Sequence, residues 1–348
     1  MQTLLFREIA ALRIRQRENQ VFIGEQPYSL DTMIVGQQWQ LSLSAVHRFL
    51  EGSAHVYGEP FRVPVAAVVF DVNHELEALG HFLPLISILV GAERTLFMER
   101  INGLLRDPNL QICLRNEPRM QGIPLSARAL IVGQIVMCFF YRYDVVTTLL
   151  STKPSFDLFH TVAEYERSGG VGGGCYDLRA HRIMLHMPRL YEGFFTPIPG
   201  VCPLLHEFGH MLDGTSMRHM QYGECRGELP GMTATQRSAF AAAKAAEHAC
   251  YLAHYHGRPP ADGQHPLGHP YVFQTDGEFI AGYWEMFWRN PHTMATHCPA
   301  LFANWCDYTQ CDPRQALPQD YMGYVHGNRA FYRSGERPWP SQIRYHIG

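Results

Sequence analysis

Pro203-Leu204-Leu205-His206-Glu207-Phe208-Gly209-His210-Met211-Leu212-Asp213 sets two histidines four residues apart, with a glutamate beside the first. On a helix, residues i and i+4 stand one above the other on a single face, so His206 and His210 can both reach one metal ion. Pro203 suits the first helical position, where its missing N–H is no loss. The spacing predicts a helix over residues 204–212, starting at Pro203 and stopped by Asp213-Gly214. Two imidazole nitrogens at ~2.0–2.1 Å and one carboxylate satisfy zinc while leaving a fourth position for water. Zinc brings the pKa of such a water towards ~7, and Glu207 stands where it can take the proton for attack on a carbonyl. Gly209 is small enough to pack between the histidines.

The third ligand separates the families that share H-E-x-x-H. The longer H-E-x-x-H-x-x-G-x-x-H pattern is excluded, because Asp213 and Ser216 stand where its glycine and third histidine belong. Glu224 and Glu228 have a spacing that suits a thermolysin-like site, but Gly223, Gly227 and Pro230 make that segment a loop. Glu278 is better placed, on a predicted helix over residues 277–289 that ends before Pro291. Glu285 shares its face and is the rival ligand, or otherwise a carboxylate behind one. Gly282, on the same face, reads as the point where this helix comes close to the His206/His210 helix.

The rest of the chain agrees with a folded enzyme. Of 348 residues, 46% are hydrophobic and 18% charged, enough apolar material for a full core. A net charge of −3 with no basic stripe argues against a nucleic-acid partner. The most apolar stretches, 82–92 (broken by Pro84) and 129–141, are shorter than the ~20 residues a membrane span needs. The N-terminus has no secretory pattern. Nine scattered cysteines without a C-x-x-C pair read as reduced thiols in a cytoplasmic protein.

Elsewhere the pattern predicts a short helix near residues 4–12 and a strand over 62–70. Long helices are expected over 74–104 and over 126–150, the latter capped by Ser126 with Leu130, Ile131, Ile135 and Cys138 facing inward. The glycines at 169, 170, 172, 173 and 174 lack a phosphate-binding G-K-[ST] ending and read as a loop beside a working site. An alternating strand follows over 180–186; its edge could face a substrate, with His181 and His186 otherwise at the surface. An Ala-rich helix covers 234–254, and Trp284, Phe287 and Trp288 read as core. His74-Glu75 with His81 imitates the metal motif but places no base.

H-E-F-G-H-M-L-D at 206–213, with Y-V-F-Q-T-D-G-E-F-I-A-G-Y-W-E-M-F at 271–287, resembles the MtfA-type zinc peptidases, the Mlc titration factors. These are gluzincins, and the chain is similar more distantly to the catalytic domain of anthrax lethal factor. Tyr271 stands seven residues before Glu278, as that family's pattern requires. The resemblance implies one Zn2+ per chain on His206, His210 and Glu278, with Glu207 as general base. It also implies that Tyr271 donates to the oxyanion and that Asp213 orients a ligand histidine. Ile280 and Gly282 replace the more usual Phe and Val, and Val272 replaces Gly after the tyrosine; these departures bear on substrate preference.

The expected architecture is α+β: a zincin-like metallopeptidase domain over 76–320, mostly helical with a small sheet, an N-terminal extension over 1–75 and a tail over 321–348. The expected function is cytoplasmic hydrolysis of a peptide or protein substrate. Because MtfA-type proteins are linked to a transcriptional repressor, the second reading is sequestration of a regulatory protein. A pure binder needs neither a base nor an oxyanion donor, which favours catalysis.

Overall fold

Two β-layers organise the chain in a computed structural model that describes residues 14–17, 20–23, 26–29, 83–115, 125–159, 162–186, 189–190, 202–219, 229–258, 264–318, 320 and 332. The first is an antiparallel meander of β1 (Ile14–Arg17), β2 (Gln20–Ile23) and β3 (Gln26–Ser29), which the sequence reading did not anticipate. The second comprises β4 (Gln111–Leu114), β5 (Ser155–Phe159), β6 (Cys175–Asp177) and β7 (Arg182–His186), in the order β4-β5-β7-β6. β4, β5 and β7 run parallel, and β6 is the antiparallel edge. Every residue from Phe156 to Phe159 and from Ile183 to His186 is buried, as expected of strands covered on both faces.

The described helices are α1 (Gly91–Leu105), α2 (Leu125–Cys138), α3 (Tyr143–Ser151), α4 (Val162–Arg167), α5 (Pro203–His219), α6 (Ala234–Tyr255), α7 (Asp276–Arg289), α8 (Pro291–His297) and α9 (Pro299–Thr309); α4 and α5 pack on this sheet, and α7 packs on α5. The mostly helical α+β expectation holds. α7 is the central helix, buried at every position from Phe279 to Arg289. Around it lie Phe139, stacked on Trp284 at 5.4 Å, and Trp305, which meets Trp284 edge-on at 5.2 Å. Trp284, Phe287 and Trp288 are core residues, as read from the sequence. α6 starts where expected, with a capping box: the Gln236 N–H donates to Thr233 Oγ1 and the Thr233 N–H donates to Gln236 Oε1.

Four expectations about helix and strand placement need correction. The helix expected over 126–150 is two, and it begins at Leu125 rather than at a Ser126 cap. It breaks at 139–142, where Phe139 turns into the core and the Arg142 guanidinium donates to the carbonyls of Tyr308 and Gly231. Of the helix expected over 74–104, the described part is a 3-10 turn, Pro84–Ser87, followed by α1. α5 runs past Asp213-Gly214 to His219, because Gly214 is there for packing: a Cβ on it would lie 2.0 Å from Tyr176 Oη. Finally, the 180–186 strand is interior, between β5 and β6. His181 and His186 are buried, and His181 bonds Tyr176 Oη at 2.6 Å and Thr152 Oγ1 at 2.7 Å.

The expected helix at 4–12, the strand at 62–70, the His74/Glu75/His81 group and the loop with Glu224 and Glu228 lie outside the described residues. Among the described residues, no helix is long and apolar enough to cross a membrane, and the cysteines are free thiols.

The close approach of α5 and α7 is made at Gly209, not at Gly282. A Cβ on Gly209 would lie 2.7 Å from Ala281 Cα, whereas Gly282 faces Val272. A methyl group at 209 must push two helix backbones apart, so Gly209→Ala should cost about 1–3 kcal/mol, the usual scale of overpacking. Gly103, in α1, meets nothing within 4 Å, and Gly103→Ala should stabilise by up to ~1 kcal/mol. Urea denaturation of both variants tests this; a Gly209→Ala protein as stable as wild type would contradict the close contact.

Candidate metal centre

α5 carries His206, Glu207 and His210, while α7 supplies Glu278 from its first turn. Thr275 caps α7 by accepting from the Glu278 N–H at 3.1 Å, which fixes where the glutamate leaves the helix. Glu278 Oε2 then lies 3.2 Å from His206 Nε2 and 3.5 Å from His210 Nε2. One donor atom from each of the three residues falls within 4.8 Å of the others. Donors held at ~2.0–2.2 Å around a tetrahedral ion stand roughly 3.3–3.6 Å apart, so this donor set fits a zinc-sized ion.

Of the two further carboxylates named from sequence, Glu285 sits behind His206 and Asp213 lies near the first turn of α7. Glu285, almost fully buried, has Oε2 3.4 Å from His206 Nδ1, and its Oε1 accepts from the Cys202 N–H. It is therefore beside a histidine rather than among the three converging donors. Asp213 Oδ2 and His210 Nδ1 converge on the first turn of α7, where a Cβ on Gly277 would lie 3.6 and 3.4 Å from them. His206 thus has a carboxylate, Glu285, on the side away from Glu278, the arrangement that fixes tautomer and ring orientation at metal sites.

Tyr271 belongs to a 3-10 turn, Pro270–Phe273, just ahead of α7. Its hydroxyl donates to Glu278 Oε1 at 2.5 Å, leaving Oε2 to face both histidines. These residues open into a cleft of about 460 Å³. The glycine-rich loop with Gly173 and Gly174, Tyr176 of β6, and Arg189 beyond β7 also line it. Gly174 touches the proposed base: a Cβ there would lie 3.0 Å from Glu207 Cγ and 2.6 Å from Leu185 Cδ2. The sequence marked this loop as a neighbour of a site. Tyr176 and Arg189 went unnoticed, since neither lies in a motif; only the β6–β7 hairpin and the chain after it carry them to the cleft.

The charges are strongly coupled. Burial alone would lower the pKa of His206, but hydrogen bonds to Glu278 and Glu285 outweigh it and raise the value to about 10. Burial likewise opposes ionisation of Glu278, and the bonds to His206 and His210 prevail and hold its carboxyl far below the usual range. Without an ion, His206 is a cation that satisfies Glu278. A metal must displace that proton, since only neutral imidazole ligates. Behind the cleft, burial and then Arg189 depress His186 to about 3, so it stays neutral.

Residues 146–309, from α3 to the end of α9, match the family described as glucose-regulated metallo-peptidase M90. The match bears out the resemblance to MtfA-type metallopeptidases, and the family implies a metal. No curated protein matches the sequence.

The paired titration has a definite sign. With its pKa raised, His206 contributes stability to the metal-free protein that is complete below its ordinary 6.5 and lost as pH climbs towards about 10. With its pKa depressed, Glu278 contributes stability that is complete above its ordinary 4.5 and lost as pH falls. Chelator-treated protein should therefore be most stable between 4.5 and 6.5 with respect to this pair. Zinc affinity should rise with pH through neutrality, with about one proton released per ion. Calorimetric zinc titration in buffers of different ionisation heat measures that proton; zinc uptake without proton release would show that the ion does not displace it.

Proposed function

We propose, from the match of residues 146–309 to the M90 metallopeptidase family, that the chain is a zinc-dependent peptidase working at the His206/His210/Glu278 cluster. The observation that carries the reading is the single carboxylate oxygen, Glu278 Oε2, within 3.5 Å of the Nε2 atoms of both histidines. His206, His210 and Glu278 would hold the ion, and Glu285 and Asp213 would keep the two rings in the ligating orientation.

When bound, the ion supplies Lewis-acid polarisation and acidifies water in the cleft. The side chains do the rest. Glu207, 6% exposed and lining the cleft, takes the proton of the attacking water. It then returns the proton to the leaving nitrogen, so one carboxylate serves as base and then as acid. Gly174 leaves Glu207 the room to do this without admitting a side chain between them. Tyr271, resting on Glu278 Oε1, offers its hydroxyl proton to the carbonyl oxygen as negative charge develops there. The peptide would enter along the 460 Å³ cleft between the glycine-rich loop and α5.

Glu207→Gln keeps all three donors, so zinc content should hold at about one per chain while peptide hydrolysis falls at least ~10²-fold, the scale of a lost general base. His206→Ala and His210→Ala should instead lose most of the zinc. Elemental analysis beside a peptide-library digest separates the two outcomes, and undiminished turnover in Glu207→Gln would remove it from the role of base. Tyr271→Phe should retain zinc and lose roughly 10- to 10³-fold in kcat with little change in KM; an unchanged kcat would strike Tyr271 from the mechanism.

A further inference from the structure

Tyr271 acts from a turn of four residues, Pro270–Phe273, too short to hold a position by its own hydrogen bonds. Several neighbours tie it down. His269 Nδ1 accepts from the Tyr271 N–H at 3.1 Å, and the Gly268 N–H donates to Tyr283 Oη at 3.1 Å. Phe273 stacks on Tyr251 with centroids 4.4 Å apart and planes 3° from parallel. Between Tyr271 and Phe273, Val272 is fully buried and does something more specific.

Val272 occupies the space that side chains at two other positions would fill. A Cβ on Gly282 would lie 2.3 Å from Val272 Cγ1, and a Cβ on Gly268 would lie 2.5 Å from Val272 Cγ2. Neither glycine has a positive φ, so the site uses their lack of a side chain rather than their backbone freedom. The two glycines form a notch, and Val272 is its plug. Gly282 is one turn after Glu278 on the same face of α7. The plug therefore enters the face that carries the carboxylate on which the Tyr271 hydroxyl rests at 2.5 Å. A β-branched plug is stiff at χ1, which transmits its seating to the backbone on either side.

We infer that Val272 is a positioning residue: seated in the Gly268/Gly282 notch, it sets the height of the turn above α7 and so keeps the Tyr271 hydroxyl on Glu278 and over the cleft. The inference rests on the catalytic role proposed for Tyr271. The volume is what matters, so it can be supplied from either side of the contact. A methyl group at 282 falls where Val272 Cγ1 stands, and should replace it when Val272 is truncated.

The test uses the full-length zinc-loaded protein as wild type, Tyr271→Phe, Val272→Ala, Gly282→Ala and the doubles Tyr271→Phe/Val272→Ala and Val272→Ala/Gly282→Ala. Val272→Ala should keep its zinc and KM and lose roughly 10-fold or more in kcat, within the range of one lost oxyanion donor. Added to Tyr271→Phe it should cost little further, because both changes remove one interaction. Gly282→Ala alone should also lower kcat, by lifting an intact plug, and Val272→Ala/Gly282→Ala should recover most of the activity. A second readout needs no turnover: in metal-free protein labelled at tyrosine Cζ, the resonance missing from Tyr271→Phe should shift in Val272→Ala and return in Val272→Ala/Gly282→Ala. Wild-type kcat in Val272→Ala, losses that multiply in Tyr271→Phe/Val272→Ala, or a Gly282 methyl that rescues neither kcat nor the resonance would overturn the inference while leaving the peptidase reading intact. An unchanged kcat in Tyr271→Phe would overturn the role of Tyr271 and this inference together. If Val272→Ala alone does not fold, the losses in Gly282→Ala and the recovery in Val272→Ala/Gly282→Ala decide the matter.

Discussion

Helices α5 and α7 touch backbone to backbone at Gly209 and Ala281, and that contact governs the rest of the site. The histidines and Glu278 come from helices separated by some seventy residues of chain, yet their donor atoms fall within 4.8 Å of one another. With a side chain at 209, packing at the usual 8–10 Å between helix axes would compete with the spacing the donors need. The burial of α7 along its length has the same origin. A helix pressed this close to its neighbour must be covered on its other faces, and Phe139, Trp305 and Phe302 provide that cover.

Closeness has an electrostatic consequence. Glu278 and Glu285 stand on opposite sides of His206, and Glu278 also reaches His210. The metal-free protein answers by protonating His206. Glu278 on one side of His206 and Glu285 on the other both favour that charge.

The cleft shows a second use of missing side chains. Gly174 allows the loop to lie on Glu207 and Leu185, and the Gly268/Gly282 notch receives Val272. In both places a backbone position without a side chain receives a neighbour that lines or borders the cleft. Such shape-based support is inexpensive to build and sensitive to a single methyl group. It also gives physical meaning to the unusual residues at 272 and 282: they meet at one contact, so they are one feature of the site and not two.

The sequence by itself determined the helix that carries His206, Glu207 and His210, the helix bearing Glu278, and the Ala-rich and aromatic helices of the core. These features are local. They rest on a 3.6-residue period, on caps and on proline positions, all of which act within a few residues. It did not determine where helices end when a distant side chain decides: Gly214 continues α5 because Tyr176 fills the space beside it, and Arg142 breaks the helix after Cys138 by binding carbonyls of Tyr308 and Gly231. Nor did it show which glycine lets α5 and α7 meet, that the 182–186 strand is covered by β6, or that Arg189 and Tyr176 line the cleft. Those facts depend on which surfaces face each other across long stretches of chain, and no periodicity within one segment carries that information. Only the tertiary structure assigned Glu285 to the back of His206 and Glu278 to its front, because two carboxylates on one helical face are equivalent until a second helix is laid against them.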